Sequence, residues 1–203
     1  DSRVVVKLDF SNAFNTLCRD CLLETVAREV PELYKFVHAS YSIEPILKYE
    51  TSSVRSREGP QQGDPLGPLE FCLTIHPLLR KLLSELRIGF LDDLTLGGPQ
   101  AVVAKDVERI CEVGSSMGLI LNTSKSELVA HPGTTVSDPL LQAFCRVSVA
   151  DVSLLGSPLF PGPVLDVVWR VRCADLSRAA ERLKKVSTQD ALILLRASFN
   201  APR

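Results

Sequence analysis

Three aspartates stand at the tips of apolar, strand-like runs, and they restrict the fold more than any other feature of the chain. Asp9 follows "RVVVKL", whose β-branched residues favour an extended backbone. Alternation puts Val4, Val6 and Leu8 on one face and Val5, Lys7 and Asp9 on the other. Asp92 and Asp93 interrupt "RIGFLDDLTLGG", which reads as a strand to about Leu91, a turn at the acids and a return strand stopped by Gly97 and Gly98. A lone Asp-Asp pair is usually a solvated hairpin turn. If the Asp9 strand lies beside this hairpin, however, carboxylates from both meet at one sheet edge, and their repulsion must be relieved by protonation or by cations. Magnesium suits such a place, because it takes one or two carboxylates and leaves its other positions to water and substrate phosphates.

The rest of the chain alternates helix and strand signals. Asp20 reads as the N-cap of "CLLETVAREV", which Pro31 ends. Residues 40–63 alternate weakly and run into the glycine- and proline-marked loop "SREGPQQGDPLGP". Asp64 and Pro65 are expected to open a helix that buries Leu69, Phe71, Cys72, Ile75, Leu78, Leu79, Leu82 and Leu86, kinked at Pro77. "AVVAKDVERICEVGSSM" is an amphipathic helix, and "LILN" with "SELVA" reads as strand, turn, strand. Asp175 is expected to cap "LSRAAERLKKV", and Ser187 with Asp190 forms a capping box before "ALILLRASF". This order predicts an α+β fold, an antiparallel sheet backed by helices.

The overall charge of −1 announces no nucleic-acid or membrane partner, but its distribution is uneven. From Trp169 to Arg203 eight basic residues face three acidic ones, so the C-terminal segment is a basic stretch on a slightly acidic chain. Of the six cysteines only Cys18 and Cys21 form a C-x-x-C, without a second pair or a nearby histidine for zinc. Free thiols in a reducing, intracellular setting are the simpler reading. The uncharged stretch "VSLLGSPLFPGPVL" is too short and too rich in proline and glycine to span a bilayer, so no membrane partner is expected.

Five segments in order, "KLDFSNAFNTL", "REGPQQGDPLGP", "GFLDDLTLGG", "GLILNTSKSEL" and "LLGSPL", resemble the successive palm motifs of reverse transcriptases, most closely those of non-LTR retrotransposons. The resemblance covers about Val4 to Leu159. It implies a polymerase palm over residues 1–160, with 40–63 as a fingers-proximal loop, and the start of a helical thumb over 161–203. It implies RNA-directed DNA polymerase activity: two-metal nucleotidyl transfer from a dNTP to a primer 3′-hydroxyl on an RNA template. Asp9 and Asp92 would hold two magnesium ions, or manganese in their place, with Asp93 and the Phe10 carbonyl assisting. Phe14 would stand against the 2′-hydroxyl of an incoming ribonucleotide, although it also fits an apolar core position. Gln62 and Gly63 would line the nucleotide, and Lys125 would protonate or neutralise the departing pyrophosphate. Leu155 and Gly156 match the primer-grip hairpin. Arg178, Arg182, Lys184 and Lys185 would meet the nucleic-acid backbone, where cations displace counterions.

Two positions depart from the family pattern: Phe90 replaces the more familiar tyrosine, and Asn15 stands where many relatives carry an acid. No fingers motifs precede the first strand, so the chain is expected to be a palm fragment. By resemblance its location is nuclear or cytoplasmic, and its oligomeric state is left open. An inactive, retrotransposon-derived nucleic-acid-binding remnant is the alternative reading. A serine-hydrolase reading of "GSSMG" fails, because that elbow needs a strand before Ser116 and a helix after it, and here the order is reversed.

Overall fold

The computed structural model describes residues 2–198. The chain divides into two compact units, one up to Ser148 and one from Val149 onward. In the first unit β1 (Arg3–Leu8) leads through the single turn α1 (Ala13–Thr16) to α2 (Arg19–Glu29) and α3 (Pro31–Tyr41). A small hairpin of β2 (Ile46–Tyr49) and β3 (Ser52–Arg55) precedes α4 (Gly67–Leu79). Then follow the hairpin β4 (Leu86–Phe90) and β5 (Asp93–Pro99), the long α5 (Gln100–Ser116), β6 (Glu127–Ala130), α6 (Pro139–Gln142) and β7 (Cys145–Val147).

The main sheet has the order β4-β5-β1-β6-β7, which puts the first strand in its centre. β1 pairs antiparallel with both β5 and β6, whereas β7 runs parallel to β6, so the sheet is antiparallel except at one edge. Val4, Val6 and Leu8 are at most 2% exposed and pack with Leu94, Leu96 and Leu128 against Leu78 of α4 and Val103, Val107 and Ile110 of α5. These α5 positions recur at helical spacing, and each such side chain taken from water contributes about 1.5–3 kcal/mol. A second cluster gathers Leu17, Leu22, Val26, Val37, Tyr41, Phe71 and Leu119 around α2, α3 and α4. The turn between α4 and β4 is fixed by buried Asp106, whose carboxylate accepts from the amides of Leu83 and Ser84 and from the Ser84 hydroxyl. Fully partnered in this way, a buried carboxylate becomes an anchor for the hairpin that carries Asp92 and Asp93.

Several local expectations are corrected. Asp20 lies in the first turn of α2, and Cys18 is its N-cap. α4 begins at Gly67, not at Asp64, because Asp64 Oδ1 instead accepts from the Leu66 amide and closes a separate turn. α4 ends at Leu79, so Leu86 falls in β4, and Leu69 and Cys72 are exposed. "LILN" is no strand; only an isolated bridge joins Leu121 to Phe10. Asp175 caps nothing, since it sits inside one continuous helix and pairs with Arg178.

The second unit begins with a tight hairpin of β8 (Ser153–Leu154) and β9 (Ser157–Pro158). Its turn residues Leu155 and Gly156 both have positive φ, 49° and 77°, the twist that suits a two-residue hairpin. Two helices follow, α7 (Pro163–Leu183) and α8 (Thr188–Ser198). The Ser187–Asp190 capping box forms as expected: the Ser187 hydroxyl donates to Asp190 Oδ2 and accepts from the Asp190 amide, at 2.6 and 3.2 Å. Among the described residues no helix is long and apolar enough to cross a membrane.

Candidate active site

The pairing of β1 with β5 brings Asp9 and Asp93 to neighbouring positions at one end of the sheet, with Asp92 next in the hairpin loop. Its register runs from Arg3↔Pro99 to Leu8↔Leu94, so the next residues outward, Asp9 and Asp93, leave the ladder side by side. Alternation sets both on the face of Lys7 and Thr95, opposite the helices that cover Leu8 and Leu94. Asp92 occupies the two-residue loop between Phe90 and Asp93, behind Leu91, whose φ of 55° makes the turn tight and strained for a side-chain-bearing residue. Asp9 is half-buried, and Asp92 and Asp93 are exposed. Among the described residues no hydrogen bond or ion pair engages any of the three carboxylates, and no group of three or more His, Cys, Asp or Glu side chains is arranged to hold a metal ion. Asp9 and Asp93 offer the one or two carboxylates that magnesium takes when its remaining ligands come from water and substrate phosphates.

The backbone of Asp9 is held independently of its carboxylate. Its amide donates to Ser126 Oγ at 3.1 Å, and its carbonyl accepts from the Asn122 amide at 2.8 Å. Ser126, fully buried, donates a hydrogen bond from its own hydroxyl to the Asn122 carbonyl at 2.8 Å. The turn that carries Lys125, itself exposed, is therefore tied directly to the aspartate. On the same sheet face Lys7 is neutralised by Glu127 at 2.7 Å.

Phe14 is half-buried, its ring stacked on Phe71 at 5.9 Å between centroids and 23° between planes. Gln62 and Gly63 lie in the exposed loop before α4. Gln62 Nε2 donates to Asn15 Oδ1 at 3.0 Å, which sets the loop beside Phe14. Gly63 has φ of +91° with open space around it, so the backbone turn itself calls for glycine here. Gly59 instead presses on the Phe14–Asn15 backbone, where a Cβ would lie 2.3 Å from the Phe14 carbonyl oxygen.

In the second unit Leu155 and Gly156 form the exposed hairpin tip, Arg178 and Arg182 lie on exposed surface of α7, and Lys184 and Lys185 are exposed in the turn that follows it. Arg178 is paired with Asp175 and Lys184 with Glu181, whereas Arg182 and Lys185 have no ion pair among the described residues. Arg203 lies outside the described residues.

Sequence reasoning missed four residues around this site: Ser126, Arg19, Tyr41 and Glu70. Only Glu70 left a trace, as a carboxylate on the buried stripe of α4 that also carries Phe71, Thr74 and Leu78. Among the described residues it alone buries side-chain oxygens without a hydrogen-bond partner. Burial, reinforced by the charge of Asp64, pushes its carboxyl up to about 7. The folded protein therefore keeps a proton that the unfolded chain loses near pH 4.5, so the associated stability is complete below that pH and is lost as pH rises through 7. Urea unfolding at pH 5.5 and 8 should show the protein weaker at the higher pH by about 2 kcal/mol, and Glu70→Gln should remove that difference. An equal difference in both proteins would place the titration elsewhere.

Residues 1–159 match the family model described as reverse transcriptase (RNA-dependent DNA polymerase). No curated protein matches the chain. Among solved structures it is similar to apo telomerase from Candida tropicalis truncated from its C-terminal domain, with a TM-score of 0.46 and 12% identity over 66% of this chain and 32% of that one. Telomerase from Candida albicans, in complex with a TWJ fragment of telomeric RNA, gives 0.44 and 12% over 66% of this chain and 28% of its own. The chain thus spans less than a third of the length of these telomerases.

Proposed function

Because the chain belongs to the reverse transcriptase (RNA-dependent DNA polymerase) family, we propose that it is the palm and the start of the thumb of a non-LTR retrotransposon enzyme that copies RNA into DNA. The observation that carries this reading is the meeting of Asp9 with the Asp92–Asp93 hairpin at one sheet end, their carboxylates without partners among the described residues. Asp9 and Asp92 would hold two divalent ions, magnesium or manganese, with Asp93 and the Phe10 carbonyl beside them. Bound there, the ions would stabilise the attacking and departing oxygens of an in-line phosphoryl displacement.

The side chains divide the remaining work. Gln62 and Gly63 would seat the dNTP against Phe14, whose ring leaves no room for a 2′-hydroxyl. Lys125 would offer charge, or a proton, to the departing pyrophosphate from a turn hydrogen-bonded to the Asp9 backbone. Catalysis on such a frame is positioning and charge stabilisation. Leu155 and Gly156 would hold the primer end, and Arg178, Arg182, Lys184 and Lys185 the duplex backbone.

The test is primer extension on an RNA template, with the chain carried in the full product of its reading frame. Extension supports the proposal; template binding without extension would favour the inactive remnant. The basic helix makes a separate prediction. Replacing Arg182 and Lys185 by alanine should reduce the slope of log affinity against log salt by roughly 1.4–1.8, since each lost phosphate contact releases about 0.7–0.9 fewer counterions. An unchanged slope would leave these residues as a solvated face.

A further inference from the structure

The loop that carries Gln61, Gln62 and Gly63 has no strand or helix of its own, yet it is fixed at both ends by two buried side chains. Arg19, 7% exposed, clasps the near end. Its Nε donates to the Gly59 carbonyl at 2.9 Å, Nη1 to the Ser56 carbonyl at 2.6 Å, and Nη2 to Ser56 Oγ at 2.7 Å and the Glu58 carbonyl at 3.2 Å. The planar guanidinium fork matches these acceptors in a way an ammonium would not. It also lies over the ring of Tyr41, 5.2 Å from the centroid.

Tyr41, the last residue of α3 and 4% exposed, fixes the far end. Its hydroxyl donates to Asp64 Oδ2 at 2.5 Å and accepts from the Gln61 amide at 3.0 Å. Asp64 is locked in turn by the Leu66 amide on Oδ1 at 2.8 Å, at the entrance to α4. Burial and the Asp64 acceptor raise the Tyr41 hydroxyl pKa, so it remains a donor. One phenolic oxygen thus joins α3, the start of α4 and the loop backbone beside Asn15 and Phe14.

We propose that Tyr41 is a positioning residue for the nucleotide: its hydroxyl fixes the Gln61 amide and so presents Gln62 and Gly63 to an incoming dNTP, while Arg19 anchors the loop upstream. The inference rests on the polymerase reading above. It assigns to a residue of α3, outside every motif of the sequence, control over affinity for the nucleotide as opposed to the template.

Tyr41→Phe tests it, because the variant keeps the ring and its contact with Arg19 and removes only the oxygen. Two measurements on the full reading-frame product are needed. Amide hydrogen exchange over residues 61–64 should accelerate roughly ten-fold once the Gln61 amide loses its acceptor, with thermal unfolding little changed. In primer extension KM for dNTP should rise roughly ten-fold, while KM for primer–template stays constant and kcat changes less. Asp64→Asn, which replaces a charge-assisted acceptor with a neutral one, should move both readouts in the same direction by a smaller factor. Unchanged exchange in Tyr41→Phe overturns the pivot whether or not the protein polymerises. Faster exchange with an unchanged KM for dNTP shows that the loop does not seat the nucleotide and also overturns the proposal. Absence of extension by the wild type, with exchange as expected, counts against the polymerase reading and leaves the pivot standing.

Discussion

Asp92→Asn should lower primer extension by about 10²–10³-fold, with the fold and template affinity retained. Asparagine has nearly the same shape as aspartate, and Asp92 lies exposed in a hairpin loop without a partner among the described residues, so its replacement removes a charge and little else. In a proposed centre that works by stabilising charge on transferring phosphoryl oxygens, the loss of one ligand carboxylate is comparable to the loss of a preorganised electrostatic group, typically 10²–10³-fold or more in kcat. Asp9→Asn should do the same, and because Asp9 is held through backbone hydrogen bonds to Asn122 and Ser126, its side chain can change while its place does not. Single-turnover extension separates the rate of the chemical step from binding. Full activity in Asp92→Asn would remove the hairpin from the chemistry and with it the two-metal assignment.

Phe14→Ala should reduce discrimination against ribonucleotides by about 10²-fold, read as the ratio of kcat/KM for matched dNTP and NTP. The ring stacks on Phe71, and its tip lies so near Gly67 that a Cβ there would meet it at 3.0 Å. Removing the ring also exposes Phe71, and a stability loss of about 2 kcal/mol is expected for a half-buried aromatic. Phe14→Tyr keeps the ring and should keep the discrimination, which separates the steric role from the packing role. If sugar selectivity stays constant in Phe14→Ala, the residue belongs to the core alone.

Much of the local architecture was legible in the residues. The alternation of "RVVVKLD" correctly assigned the buried face of β1, the acids of "RIGFLDDLTLGG" marked a hairpin although its return strand runs through Gly97 and Gly98 to Pro99 instead of stopping there, and Ser187 with Asp190 marked a helix start. Each of these depends on neighbours within a few residues, where backbone preference and side-chain period dominate. Helix boundaries were less legible for the same kind of reason. Asp64 looked like an N-cap because its type and its proline neighbour suit one, but its carboxylate is taken by Tyr41, 23 residues away, and by the Leu66 amide. Asp175 looked like a cap in a segment whose helix had already started at Pro163.

The residues by themselves marked strands with acidic tips and amphipathic helices, and five ordered segments among them resemble the motifs of the family. Only the tertiary structure decided that β1 would sit at the centre of the sheet, with Asp9 beside Asp93 on one side and the Lys125 turn on the other. It alone decided that Tyr41 and Arg19 would hold the Gln62 loop. Local periodicity fixes which face of an element is buried, but which elements meet, and in what register, depends on how distant apolar faces cover one another, and no short window of sequence contains that choice.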